Sequence, residues 1–103
     1  MKLVLCTFCS DVFKLARVPR ACDCGTCGGY YKDSLNAVYW GDTAIPIGFN
    51  NRDLRRACAH MPPGPGRGET FEAFVIPRVC QTMIKLDTPP ELDFEVAPVA
   101  ADA

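Results

Sequence analysis

Cys6-Thr7-Phe8-Cys9, followed twelve residues later by Cys22-Asp23-Cys24-Gly25-Thr26-Cys27, is the text that decides this fold. Two residues between Cys6 and Cys9 let the chain turn so that both sulfurs reach one ion, with the amides of the turn aimed at them. The second cluster offers two ways to complete a site. Cys24 with Cys27 repeats the two-residue spacing and is followed by Gly28-Gly29, while Cys22 with Cys24 makes a tighter pair followed by Gly25. Glycine suits either end, because a knuckle often closes with a positive φ. Both choices give a closed tetrahedral four-sulfur site with metal–sulfur distances of about 2.3 Å, the arrangement of structural zinc. Four thiolates also suit iron.

Five of the seven cysteines lie in the first 27 residues, and the odd total excludes complete internal pairing as disulfides. Clustered cysteines that stay reduced read as metal ligands in a reducing compartment, so the chain reads as cytoplasmic. In the opening Met1 to Cys6 the apolar run before the cysteine is only three residues, too few for a secretory leader, and no run approaches the roughly 20 apolar residues of a membrane span. A ribbon this small has little apolar core, and structural zinc contributes on the order of 10–16 kcal/mol at neutral pH. The first 30 residues should come apart without their ion.

Outward from the cysteines, Val12 to Val18 is rich in strand formers and Pro19-Arg20 turns the chain back, which reads as a short hairpin with a cysteine pair at its base. Gly28 to Lys32 reads as a flexible step. Leu35–Trp40 and Thr43–Phe49 flank Gly41-Asp42 as two antiparallel strands around a tight turn. Pro46 demotes the second to an edge or a bulge. Asn51 is placed to cap a helix over Arg52–His60, and Met61-Pro62-Pro63 stops it. Residues 62–68 form an irregular proline and glycine loop, and Glu69–Ile76 and Val79–Leu86 are the last strand-like runs. The expected architecture is α+β: an N-terminal zinc ribbon, 1–32, packed on a small antiparallel sheet with one short helix, 33–86, and a disordered acidic tail, 87–103. That tail follows the last basic residue, Lys85, and carries five acids.

Cys-x2-Cys, a twelve-residue spacer and then Cys-x-Cys-Gly resembles the zinc-ribbon and rubredoxin-like group, with knuckle spacing closer to desulforedoxin than to rubredoxin. The resemblance covers about residues 3–28. The longer text Cys22 to Phe49, including Gly28-Gly29-Tyr30-Tyr31 and Ala44-Ile45-Pro46-Ile47-Gly48-Phe49, is similar to uncharacterised small ribbon proteins of bacteria and their phages. The resemblance implies a site of Cys6, Cys9, Cys22 and Cys24, with Cys27 as the alternative to Cys22. It also implies a regulatory or anti-defence setting.

Eleven basic and twelve acidic side chains give a net charge of −1, so there is no global positive field for nucleic acid. Residues 1–86 alone, with eleven basic and seven acidic groups, carry +4. Arg52, Arg55 and Arg56 fall at helical spacing and form a positive stripe suited to an acidic protein surface or to phosphates. His60 ends the helix, where a protonated ring is favoured by the dipole. Cys58 and His60, two apart, point in different directions and make no catalytic dyad. Gly64, Gly66 and Gly68 precede a strand, not a helix, and form no phosphate loop. These readings point to a non-enzymatic, zinc-stabilised interaction module with a protein partner favoured over nucleic acid. The alternative is a rubredoxin-like iron electron carrier.

Overall fold

The computed structural model describes residues 1–90; the tail expected over 87–103 lies, from Glu91 onward, outside the described residues. The first sheet is built on β1 (Lys2–Cys6), whose alternation buries Val4 and Cys6 on one face. β1 runs antiparallel to β2 (Val12–Lys14) on one side and to β6 (Ala44–Phe49) on the other. Val4 is thereby the register partner of both Phe13 and Pro46, and paired residues project from the same face of a sheet. β7 (Ala73–Val75) completes the order β2-β1-β6-β7. The second sheet has the order β3-β4-β5-β8, from β3 (Arg20–Ala21), β4 (Gly28–Tyr31), β5 (Ala37–Trp40) and β8 (Met83–Leu86). It is mixed, because β8 joins β5 in parallel. Both sheets feed one core: Val4, Cys6, Phe13 and Ala44 from the first meet Ala37, Tyr39 and Met83 from the second, with Leu15 and Ile76 between elements. Phe13, Leu15, Met83 and Val4 are fully buried, each stabilising the fold by about 1.5–3 kcal/mol.

The helix α1 (Asn51–Ala59) begins one residue earlier than expected, and its cap is Asn50 rather than Asn51. Asn50 has the extended backbone a cap needs, and its side-chain oxygen accepts the Asp53 N–H at 3.1 Å. The Asn51 side chain instead accepts from the N-terminal ammonium at 2.7 Å. Asp53 and Arg56 fasten α1 to the segment 69–72. Arg56 bonds Asp53 at 2.7 Å, Glu69 at 2.9 Å and the Thr70 carbonyl at 2.8 Å, while Asp53 accepts the Glu72 N–H at 2.6 Å. The chain is thus α+β with a single short helix among the described residues. No helix of the described residues is long and apolar enough to cross a membrane.

Several local expectations are corrected. Val12–Val18 does not return to pair with Arg20–Ala21: β2 stops at Lys14 and pairs back onto β1, while β3 pairs onward with β4. The expected flexible step at 28–32 is strand β4, paired with β5, and a Cβ at Gly28 would collide with the Trp40 ring and the Arg20 carbonyl. The two runs flanking Gly41-Asp42 lie in different sheets, so this is a crossing and not a hairpin turn. Gly41 has φ +107°, and a Cβ there would meet the Thr26 carbonyl and lie 2.6 Å from Cys27 Cβ. Pro46 sits in β6, an inner strand, against the edge assignment. Its carbonyl accepts Ile76 N–H at 2.9 Å. A residue's nitrogen and carbonyl face the same side of a strand, so the donor that Pro46 lacks points at the end of β7 and the β1–β6 ladder loses nothing.

Candidate metal centre

The corrected pairing puts each cysteine cluster at the tip of a hairpin. Cys6 ends β1, and Thr7 to Asp11 turn the chain into β2; Cys22 follows β3, and residues 22–27 turn it into β4. In the first tip, the Cys9 N–H donates to Cys6 Sγ at 3.4 Å and the Ser10 N–H to the Cys6 carbonyl at 2.8 Å. Ser10 takes φ +64°, the only positive φ outside glycine among the described residues, at a cost of about 1–2 kcal/mol. In the second tip, Gly25 N–H bonds the Cys22 carbonyl at 3.0 Å and Cys22 N–H bonds the Cys27 carbonyl at 2.9 Å. Gly25 has φ +80°. A left-handed residue therefore follows the second cysteine of each pair, Ser10 after Cys9 and Gly25 after Cys24.

The two tips bring the Sγ atoms of Cys6, Cys9, Cys22 and Cys24 within 4.8 Å of one another. Cys6 and Cys24 are 3.7 Å apart and Cys22 and Cys24 3.5 Å. Bonds of about 2.3 Å to one tetrahedral ion require sulfur–sulfur edges of about 3.8 Å, so the cluster is compatible with metal coordination. Cys6 and Cys22 are buried, Cys9 is half-buried and Cys24 is exposed.

Side chains outside the cysteine pattern surround these sulfurs. Thr26 Oγ1 lies 3.1 Å from Cys24 Sγ and 3.6 Å from Cys6 Sγ, and Thr43 Oγ1 lies 3.4 Å from Cys6 Sγ. The two hydroxyls are 2.9 Å apart and form a bonded pair beside the cluster. Asp11 Oδ2 accepts the Asp23 N–H at 3.1 Å and meets Arg20 at 3.4 Å, so one carboxylate ties the first tip to the second hairpin. The Cys6 thiol is pushed down to about 5, first by the Thr43 hydroxyl and against the effect of burial. Cys22 lies at about 7, where burial raises it but the Cys27 N–H–bearing turn and the Cys24 and Thr26 side chains lower it further. At Cys9 the backbone at Asp11 favours the thiolate, yet burial and the neighbouring Cys24 and Cys6 thiols push it up to about 11. A proton shared among crowded sulfurs is the state a cation would replace.

Cys27 stands outside this set. It is fully buried in the shared core beside Gly41, and burial pushes its thiol up to about 12, so it remains a neutral thiol. Among the arginines, Arg56 is held by the ion pairs described above, while Arg52 and Arg55 are exposed and have no side-chain partner among the described residues. The stripe of three expected from spacing is thus two free guanidinium groups and one that is committed. His60 caps α1, its Nδ1 2.9 Å from the Arg56 carbonyl, and Cys58 is exposed on that helix and does not belong to the cluster. Cys80 is half-buried beside Thr82. Thr26, Thr43, Ser10 and Asp11 were not legible as site residues, because hydroxyl and carboxylate partners follow no spacing rule.

No protein-family model, no curated protein and no solved structure matches the chain. The geometry defines a class by itself: a small α+β domain with a four-cysteine cluster, supplied by two hairpin tips, that is capable of ligating a metal ion.

Proposed function

We propose that this chain is a non-enzymatic interaction module of a reducing, cytoplasmic compartment, held in shape by one zinc ion on Cys6, Cys9, Cys22 and Cys24, that binds a protein partner. The observation that carries the reading is the convergence of four sulfurs from two hairpins at tetrahedral-edge separations. β2 and β3 are only three and two residues long, lengths at which an isolated hairpin is marginal in water. An ion bonded to both tips supplies what the ladders lack.

The surface offered to a partner is apolar with two free cations. Phe71, Phe74 and Val75 are exposed along β7 and the segment before it, and that segment is bonded to the helix that carries Arg52 and Arg55. An apolar centre rimmed by arginine fits an acidic protein surface, and the whole-chain charge of −1 disfavours nucleic acid. The ribbon resemblance directs the search for that partner to bacterial or phage regulation and anti-defence. A second reading, a rubredoxin-like iron electron carrier, is favoured by the exposure of Cys24, which would leave one ligand sulfur facing solvent.

Affinity capture with metal-loaded and chelated protein, together with its colour, tests the proposal. The module reading expects colourless protein and a partner retained only by the loaded form. Red protein with a reversible one-electron reduction would replace it with the carrier, and capture indifferent to chelation would remove the metal from the function.

A further inference from the structure

Away from the cysteines, an open cleft of about 440 Å³ lies where β5 and β8 of one sheet meet the end of β7 and β6 of the other. Its walls are apolar at Pro46, Ile76 and Pro77, and its polar lining residues are Tyr39, Arg78 and Lys85 with Asp42 at the rim. Tyr39 and Lys85 are register partners in the parallel β5–β8 ladder and so project from one face of that sheet. Arg78 enters from the connection after β7. Tyr39 is only 3% exposed, yet its hydroxyl has no hydrogen-bond partner among the described residues and keeps some contact with solvent. Tyr39 is a lining residue of the cleft, with nearly all of its surface closed off by the core. A buried tyrosine normally finds a partner for its hydroxyl.

Arg78 has no ion-pair partner among the described residues. Lys85 has one, Asp42, at 3.7 Å, but Asp42 is wholly exposed at the rim and the pair is weak. With two cations and one rim carboxylate, the lining keeps a net positive charge. Burial raises the Tyr39 hydroxyl above its ordinary range, with the Arg78 charge working against that and Cys80 adding to it. Three donors on separate elements, none answered by a buried acceptor, call for a ligand that brings acceptors and negative charge. The apolar walls call for a body behind that charge, and the volume is in the range of small-molecule sites.

We propose that this cleft binds a small organic oxyanion, its phosphate or carboxylate held by Arg78, Lys85 and the Tyr39 hydroxyl and its apolar body against Pro46, Ile76 and Pro77. The site stands independently of the metal reading, and its failure would leave that reading intact.

The test is an amide chemical-shift titration of the full, metal-loaded chain with phenyl phosphate, benzoate and inorganic phosphate. Saturable shifts at Tyr39, Ile76 and Lys85 are expected with phenyl phosphate or benzoate, and whichever binds more tightly identifies the oxyanion. Arg78→Ala and Lys85→Ala should each weaken that probe by about tenfold, the scale of one lost charged hydrogen bond, and Tyr39→Phe should weaken it by a smaller factor with the ring retained. An amide spectrum unchanged outside the cleft in each variant establishes that the fold is intact. The proposal is overturned if neither organic probe gives saturable shifts up to about 10 mM, well past the weakest useful affinities, or if affinity survives Arg78→Ala. Inorganic phosphate binding as tightly as phenyl phosphate would overturn the role given to the apolar walls.

Discussion

Cys6 Sγ and Cys24 Sγ lie 3.7 Å apart although they belong to two hairpins whose strands lie in different sheets. That separation matches an edge of a tetrahedron around one ion, and in the proposed site Cys24, the exposed member, is as necessary as the buried Cys6. Cys24→Ser and Cys22→Ser are each expected to lose metal, whereas Cys27→Ser keeps it, measured as metal per chain after gel filtration. Retention by Cys22→Ser with loss by Cys27→Ser would exchange the roles of those two residues.

The threonine pair gives a graded prediction. Thr43→Val removes the hydroxyl beside Cys6 Sγ and leaves Thr26 without its 2.9 Å partner. Outer partners of metal ligands are worth about 10–100-fold in affinity, so Thr43→Val and Thr26→Val should weaken zinc binding by about tenfold or more in competition with a chromophoric chelator. Unchanged affinity in both would show that the hydroxyls only fill space.

Acid should release the ion in a defined direction. In the folded chain the Thr43 hydroxyl, above all, pushes the Cys6 thiol down to about 5 from an ordinary 9.0. A depressed value of this kind contributes stability that is complete above 9.0 and is lost as the pH falls through about 5. Metal is expected to stay bound at neutral pH and to be displaced as acid protonates the four thiolates, followed by zinc-indicator fluorescence. Release already complete at neutral pH would contradict the stabilised thiolate.

How much of this was legible in the residues themselves follows from what each signal encodes. Cysteine spacing carries the knuckle, because two or one intervening residues fix how sharply the chain must turn, and Asn-rich text before an arginine-bearing run carries the helix to within a residue. Strand partners are another matter. Gly41-Asp42 has the composition of a hairpin turn, yet the glycine is there because the backbone must pass the Thr26 carbonyl and Cys27 while crossing between sheets, a contact made by residues 14 and 15 positions away. Pro46 looks like an edge signal until the side its missing donor faces is known. The parallel pairing of β5 with β8 spans more than 40 residues and leaves no local trace.

Glycine substitutions separate these causes. Gly41→Ala meets both a left-handed backbone and a collision, and should cost about 2 kcal/mol or more. Gly25→Ala has the same kind of backbone but open space around the added carbon, and should cost about 1–2 kcal/mol. Thermal melts of the zinc-loaded variants provide the comparison, and a Gly25→Ala loss equal to or above that of Gly41→Ala would refute the assigned crowding.

Arginines of the helix divide by partner. Arg56→Ala should release the segment 69–72, seen as faster amide exchange at Glu72, whose N–H is held by the same Asp53 carboxylate. Arg52→Ala and Arg55→Ala should leave stability within about 0.5 kcal/mol while reducing capture of the protein partner. Equal exchange rates at Glu72 in all three variants would contradict this division.

Native mass spectrometry of freshly purified, reduced protein, with elemental analysis of the same sample, tests the account at its centre. One zinc ion per chain is predicted, raising the mass by that of zinc less the protons it displaces from Cys6, Cys9, Cys22 and Cys24, with the ion lost in Cys24→Ser but not in Cys27→Ser. A metal-free mass from protein supplied with zinc, or disulfide bonds joining those four cysteines in its place, would contradict it.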